Sequence, residues 1–130
     1  MMSEEDVRVA LARHWAASDA NDFSAEHAIY DDHAVLEYPQ SGERIRGRQR
    51  IQASRTAQPN HKRFTVRRTL GSGDLWITEL VLTYDEQPVH VVSVMEFERS
   101  KVIRESQYFG GPFEPSPSRA QWVERMERGT

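Results

Sequence analysis

The chain has 130 residues and a mass of 15.0 kDa, enough for one compact domain and too little for two. Seventeen Lys and Arg side chains against 20 Asp and Glu give a formal charge of −3, which excludes a generally basic nucleic-acid binder. The absence of cysteine excludes disulfides, thiolate nucleophiles and cysteine zinc sites. A mean hydropathy of −0.72 is low, yet the apolar residues are clustered and periodic, which predicts a folded domain with a modest core. No apolar run approaches the ~18 residues of a membrane span. Met1–Asp6 is too acidic for a signal peptide, so the expectation is a cytoplasmic protein that uses no membrane.

Ser3 ahead of Glu4, Glu5 and Asp6 resembles a capping box, and Val7, Leu11, His14, Trp15 and Ser18 follow at three- and four-residue spacing. This predicts a first amphipathic helix ending near Asp19. Asn21-Asp22 is a second N-cap signal, for a helix running to about Tyr30 with Ala25 and Ile29 on its inner side and Asp31-Asp32 breaking it. Val35–Tyr38 reads as a short strand stopped by Pro39, followed by a turn at Ser41-Gly42-Glu43. A third helix is expected over Arg48–Ala57, ended by Pro59-Asn60. Four further strands are expected over His61–Leu70, Leu75–Tyr84, Val89–Glu98 and Lys101–Phe109, joined by turns too short for parallel crossovers. The tail from Gly110 is too rich in Pro and Gly to continue the last strand, and Ser118 caps a final short helix carrying Trp122, Val123 and Met126. The result is an α+β domain with helices on one face of an antiparallel sheet. Its expected bounds are residues 1–113, with residues 114–130 as a tail.

The order of these elements, the segment Ile29–Pro39, the Arg46-Gly47-Arg48 entry to the third helix and the closing Lys101–Glu105 resemble the nuclear-transport-factor-2-like superfamily, specifically its SnoaL-like branch. The resemblance implies a cone of three N-terminal helices packed on a curved antiparallel sheet, one apolar pocket between them, and a homodimer formed through the sheet's outer face. It does not by itself choose a function, because such a fold hosts isomerases, dehydratases, polyketide cyclases, epoxide hydrolases and non-catalytic modules. By the resemblance to the steroid isomerases, Tyr38 stands where the general-base aspartate would be, Met95 corresponds to the protonated aspartate of the oxyanion hole, and His14 to its tyrosine. Tyrosine cannot replace that base, its reference pKa being near ~10 against ~4 for aspartate. Two inward carboxylates flanking an arginine, as in the epoxide hydrolases, do not assemble. In the polyketide cyclases an acidic residue lies on the pocket face of the last strand, where Glu105 and Gln107 both fall.

Strand alternation supplies the inner set. Val91, Ser93, Met95 and Phe97 face inward together, as do Trp76, Thr78, Leu80 and Leu82, and on the last strand Ile103, Glu105, Gln107 and Phe109. His14, Trp15, Tyr30, Leu36 and Tyr38 join them, with Ser54 or Arg55 reaching in from the third helix. The expected site is an apolar cavity with a few converging polar groups. Glu105 is the candidate proton-transfer group, its pKa raised by desolvation, with His14 as electrophilic or proton partner. The alternative is a structural carboxylate paired with Arg55 or His14. Tyr30, Tyr38, Gln107, Ser93, Met95, Arg55 and Trp15 are the candidate substrate-binding residues. No cofactor and no metal is expected, since His27, Asp31, Asp32 and His33 straddle a helix end at spacings that match no common metal site.

Residues 44–68 hold nine basic side chains and no acid, a polarity that either steers an anion to the pocket rim or forms a solvated face partly neutralised by the first two helices. Phe64 is its only aromatic residue, which argues against nucleic acid. Phe113, Trp122 and Met126 read as a lid over the pocket or as a contact with a partner subunit. The functional expectation is a protein binding a small, largely apolar, oxygenated molecule, with cofactor-free cyclase, isomerase or dehydratase chemistry. A non-catalytic ligand-binding or protein-interaction module is the alternative.

Overall fold

A computed structural model describes residues 2–126. The first helix, α1 (Glu4–Asp19), opens with the expected capping box: the Asp6 amide donates to Ser3 Oγ at 3.1 Å and the Ser3 amide to Asp6 Oδ2 at 3.2 Å. It stops because Asn21 turns left-handed, with φ of 57°. The Asn21 and Asp22 amides thereby reach back to the carbonyls of Ser18 and Ala17 at 3.1 and 2.9 Å, which closes the helix end. Asp22 then caps α2 (Phe23–His27) by accepting from the Ala25 amide at 3.1 Å.

That second helix is shorter than its pattern suggested. Strand β1 (Tyr30–Tyr38) takes over at once, because the Val102 amide donates to the Ile29 carbonyl at 2.9 Å and captures the chain against the last strand. The Asp31-Asp32 pair therefore lies inside an irregular strand and not in a helix break. A second strand, β2 (Glu43–Arg46), stands beyond the Ser41-Gly42 turn and pairs antiparallel with β1; Glu-Arg-Ile-Arg carries one apolar residue, too little alternation to be read as a strand. Next come α3 (Arg48–Thr56), β3 (Lys62–Ser72), β4 (Leu75–Tyr84), β5 (Gln87–Glu98) and β6 (Lys101–Gly110). The β4–β5 and β5–β6 turns, Asp85-Glu86 and Arg99-Ser100, have positive φ at both positions, the geometry that matches the twist of a two-residue hairpin.

The sheet has six strands in the order β2-β1-β6-β5-β4-β3. It is mixed and not wholly antiparallel, since β1 runs parallel to β6, with Leu36 opposite Glu105. The three helices are interrupted by β1 and β2 and are not consecutive. All three cover one face: α1 packs on β3, α3 on β1, and α2 lies between α1 and α3. Beneath them Trp76, Leu80, Met95 and Phe97 are buried, as alternation predicted. On β6 the alternation slips once. A bulge opposite Glu96 and Phe97 turns Val102 inward in place of Ile103. In the tail, a single turn of 3-10 helix (Pro117–Arg119) capped by Ser116 replaces the expected helix on Ser118. Phe113, Trp122 and Met126 are 85%, 75% and 77% exposed, so they form no lid over this chain's interior. Residues 127–130, the rest of the expected tail, lie outside the described residues. Among the described residues no helix is long and apolar enough to cross a membrane.

Gly71 has a structural reason. A β-carbon there would stand 2.5 Å from the Leu75 carbonyl oxygen and 2.6 Å from Trp76 Cδ2, whereas one on Gly111 would meet nothing within 4 Å. Gly71→Ala is expected to destabilise the fold by about 1–3 kcal/mol through overpacking, and Gly111→Ala by less than about 0.5 kcal/mol. Urea denaturation of the two variants measures the difference.

Candidate functional site

Glu105 projects from β6 into the interior and has no exposed surface. Four side chains satisfy its two oxygens. Ser93 Oγ donates at 2.6 Å and Gln107 Nε2 at 2.9 Å to one; the Tyr30 hydroxyl and, at 3.3 Å, an Arg55 guanidinium nitrogen donate to the other. Burial pushes the Glu105 carboxyl up, but the Arg55 charge, His14 and the Ser93 and Tyr30 hydrogen bonds outweigh it and hold it below its ordinary range. The expected upward shift is thus reversed, because the arginine stands closer than sequence could tell. Glu105 and His14 share no hydrogen bond: His14 Nδ1 donates to the Glu26 carbonyl at 2.6 Å. Burial lowers the His14 pKa.

Arg55 is held from behind. One of its guanidinium nitrogens donates to the Tyr30 hydroxyl at 2.9 Å and to His27 Nε2 at 3.2 Å. His27 can accept there because its Nδ1 donates to the Phe23 carbonyl, 2.6 Å away, leaving Nε2 bare. Burial and the Arg55 charge lower the His27 pKa to about 4, so the ring is neutral at physiological pH. Although burial works against it, Tyr30, Glu105 and Tyr38 raise the Arg55 pKa well above its ordinary value.

On the other side of Arg55 lies a cavity of about 100 Å³, partly open to solvent. Trp15, Tyr38, Phe64, Leu80, Leu82, Tyr84, Val91 and Phe109 form its apolar walls; Glu26, Ser54, Arg55, Gln58, Lys62 and Gln107 bring polar groups to it. Burial raises the pKa of both Tyr38 and Tyr84, keeping their hydroxyls protonated as donors. Of the residues singled out from sequence, Trp15, Tyr38, Arg55 and Gln107 line this cavity. Glu105, His14, Tyr30, Ser93 and Met95 are buried behind its wall.

Three polar residues of the cavity, Glu26, Gln58 and Lys62, were not among the inward residues expected from sequence. On α2 the inner side is Glu26 and His27, 3% and 0% exposed, whereas Ala25 is exposed. Hydrophobic periodicity misreads a helix whose buried residues are polar. The Ser18 hydroxyl lies 2.8 Å from Glu26 Oε2 and 3.0 Å from the His14 carbonyl. No described residue donates to Glu26 Oε1. Lys62, only 5% exposed, follows the alternation that puts Phe64 inward, which was the available signal. Its ammonium donates to the Arg55 carbonyl at 3.4 Å and lies 5.4 Å from the Phe23 ring.

The remaining polar motifs are structural. Asp31 accepts from the His33 amide at 2.8 Å, and Asp32 pairs with Arg48 at 2.8 Å. Among the described residues no three His, Cys, Asp or Glu side chains converge. Within the basic segment, Arg44, Arg48, Arg55, Arg63 and Arg68 pair with Glu37, Asp32, Glu105, Asp19 and Glu79. The neutralising acids come mostly from strands, with Asp19 alone from the first two helices. Because the folded-state pKa of His27 lies below its unfolded value of 6.5, stability is retained above pH 6.5 and lost as the pH falls toward 4. His14 acts with the same sign. The loss carried by His27 should reach about 3 kcal/mol. His27→Gln is expected to flatten the fall in urea-derived stability between pH 7.5 and 4.5; an unchanged fall would place the pH sensitivity elsewhere.

A crystal structure of a nuclear-transport-factor-2-like protein of unknown function from Burkholderia xenovorans is 52% identical, with a TM-score of 0.88 over 98% of this chain and 100% of that one. A structure described as a ketosteroid isomerase from Kribbella flavida is 24% identical, with a TM-score of 0.87 over 96% and 93% of the two chains. An LEH-like epoxide hydrolase of M. tuberculosis is also 24% identical, with a TM-score of 0.67 over 82% and 84%. At that identity the last two show the fold alone. No curated protein matches the sequence. The family model described as a SnoaL-like domain matches residues 11–105, most of the chain. With that match, the fold and the 52% identical relative in agreement, the chain belongs to the SnoaL-like family.

Proposed function

We propose that this protein binds a small, largely apolar molecule carrying a carbonyl or similar oxygen, and that Arg55 is the group that holds that oxygen. The observation that carries the reading is the placement of Arg55: fixed from behind by Glu105, Tyr30 and His27, it still reaches the wall of an otherwise aromatic cavity. A donor fixed before the ligand arrives loses little entropy on binding and suits negative charge developing on oxygen, as in enolisation, cyclisation or dehydration. Tyr38 and Gln107 complete the oxygen site, and Trp15 forms part of the apolar wall. In this reading Glu105 acts through Arg55, as a positioning residue; Ser93 and Tyr30 fix Glu105, while His14 and Met95 support the wall from behind.

A second reading, a binding module without chemistry, is favoured by the cavity's size. About 100 Å³ is below the range of about 300–1,000 Å³ usual for ligand sites. The isomerase and epoxide-hydrolase descriptions of structural relatives keep the catalytic reading in view, although the steroid isomerase pattern would require carboxylates where Tyr38 and Met95 stand. We further propose a homodimer through the uncovered face of the sheet. Leu70, Ile77, Val92 and Tyr108 form an exposed apolar strip across β3, β4, β5 and β6, and a second copy would meet it with the same strip. A cytoplasmic location accords with this reading.

Two-dimensional NMR titration with cyclopentanone, and with methylcyclopentane as the apolar control, tests the oxygen site. The ketone should shift the Trp15 indole signal and bind at least about tenfold more tightly than the hydrocarbon. Tyr38→Phe, which leaves the Glu105 cluster intact, should remove part of that preference and Arg55→Met most of it. Equal binding of the two probes would reject the reading.

A further inference from the structure

Lys62 is unusual in this chain. The protein has two lysines, and Lys101 lies on the surface with its ammonium donating to the Ala28 carbonyl at 2.7 Å. Lys62, by contrast, is buried at the cavity wall. Among the described residues no carboxylate oxygen lies within 4.0 Å of its Nζ, so no direct ion pair compensates the buried charge. The groups around it are Glu26 from α2, Arg55 from α3 and, opposite it in the sheet, Tyr84 from β4. The Arg55 charge opposes a second cation nearby. Glu26 lines the same cavity and has one oxygen without a donor.

We propose that Lys62 is an amine nucleophile that forms an imine with small aldehydes or ketones entering the cavity, with Glu26 relaying the protons. The inference rests on the carbonyl-binding reading of the same cavity and adds covalent chemistry to it. The Nζ lone pair attacks the carbonyl carbon, a C–N bond forms, and the carbonyl π pair moves to oxygen. The two protons then on nitrogen pass to that oxygen through a bridging water and the Glu26 carboxylate, whose oxygens stand beyond direct reach of Nζ. The former carbonyl oxygen leaves as water as the C=N bond forms, and nothing is oxidised or reduced. Arg55, Tyr38 and Gln107 stabilise the charge on oxygen during the attack. Burial lowers the Lys62 pKa from its ordinary value, Glu26 opposes this and the Arg55 charge adds to it, a shift in the direction that attack by a neutral amine requires.

The test uses the full chain with propanal and sodium cyanoborohydride at pH 7, read by peptide mass mapping, with Lys101 as the internal reference. Lys62 is expected to acquire the N-propyl group about tenfold or more faster than Lys101, and the ratio should shrink as the pH rises toward ~10, where an exposed lysine also loses its proton. Cyclopentanone should slow labelling of Lys62 and leave Lys101 unaffected. Glu26→Gln should slow labelling at Lys62 about tenfold while Lys101 keeps its rate. Labelling of Lys62 no faster than of Lys101 overturns the proposal. So does labelling that cyclopentanone fails to compete. If cyclopentanone still shifts the Trp15 signal while Lys62 stays unlabelled, the imine chemistry fails and the carbonyl-binding site stands; if neither occurs, both readings fail.

Discussion

An ionised carboxylate with no exposed surface is expensive, and the interior of this protein is arranged around keeping one ionised. Glu105 survives on β6 because Tyr30, Ser93, Gln107 and Arg55 all donate to it, from β1, β5, β6 and α3 respectively. Such a pair adds little net stability, since desolvation consumes most of the Coulomb energy, but breaking it is costly. It also fixes geometry. An arginine satisfied on one side by a carboxylate, a tyrosine and a neutral histidine cannot swing away, so its position at the cavity wall is a consequence of the core itself.

This arrangement separates two jobs that a single acid would otherwise share. Glu105 is too well solvated by its neighbours to pick up a proton near neutral pH, and its effect is transmitted as the placement of a cation. The groups left to meet a ligand are hydroxyls held protonated by burial, a guanidinium, a carboxylate with one open oxygen and a buried amine. Aromatic walls around them lower the local dielectric and strengthen each of these interactions.

Much of this was readable in advance because strands report their faces. Alternation placed Met95, Phe97, Trp76 and Leu80 in the core and Gln107 at the cavity, to which the first strand's segment added Tyr38 and the first and third helices added Trp15 and Arg55. Capping chemistry at Ser3 and Asp22 located two helix starts. Reading failed where the deciding contact was distant or the buried residue polar. The β6 bulge moved Val102 into the place of Ile103, the parallel partner of β1 lies far along the chain, and Glu26 on a core face looks like solvent to any hydrophobic pattern. The direction of the Glu105 shift depended on a distance to Arg55 that no spacing encodes.

The parallel pairing of β1 with β6 carries a kinetic implication. Strands β3 to β6 are joined by tight hairpins, so their ladders form from contacts close in sequence. Closing β1 onto β6 encloses that entire meander in one loop, and its entropy must be lost before any contact is gained. Tyr30 and Glu105 sit on the two sides of this closure. The polar cluster behind the cavity is therefore tied to the sheet pairing that carries the largest loop-closure entropy.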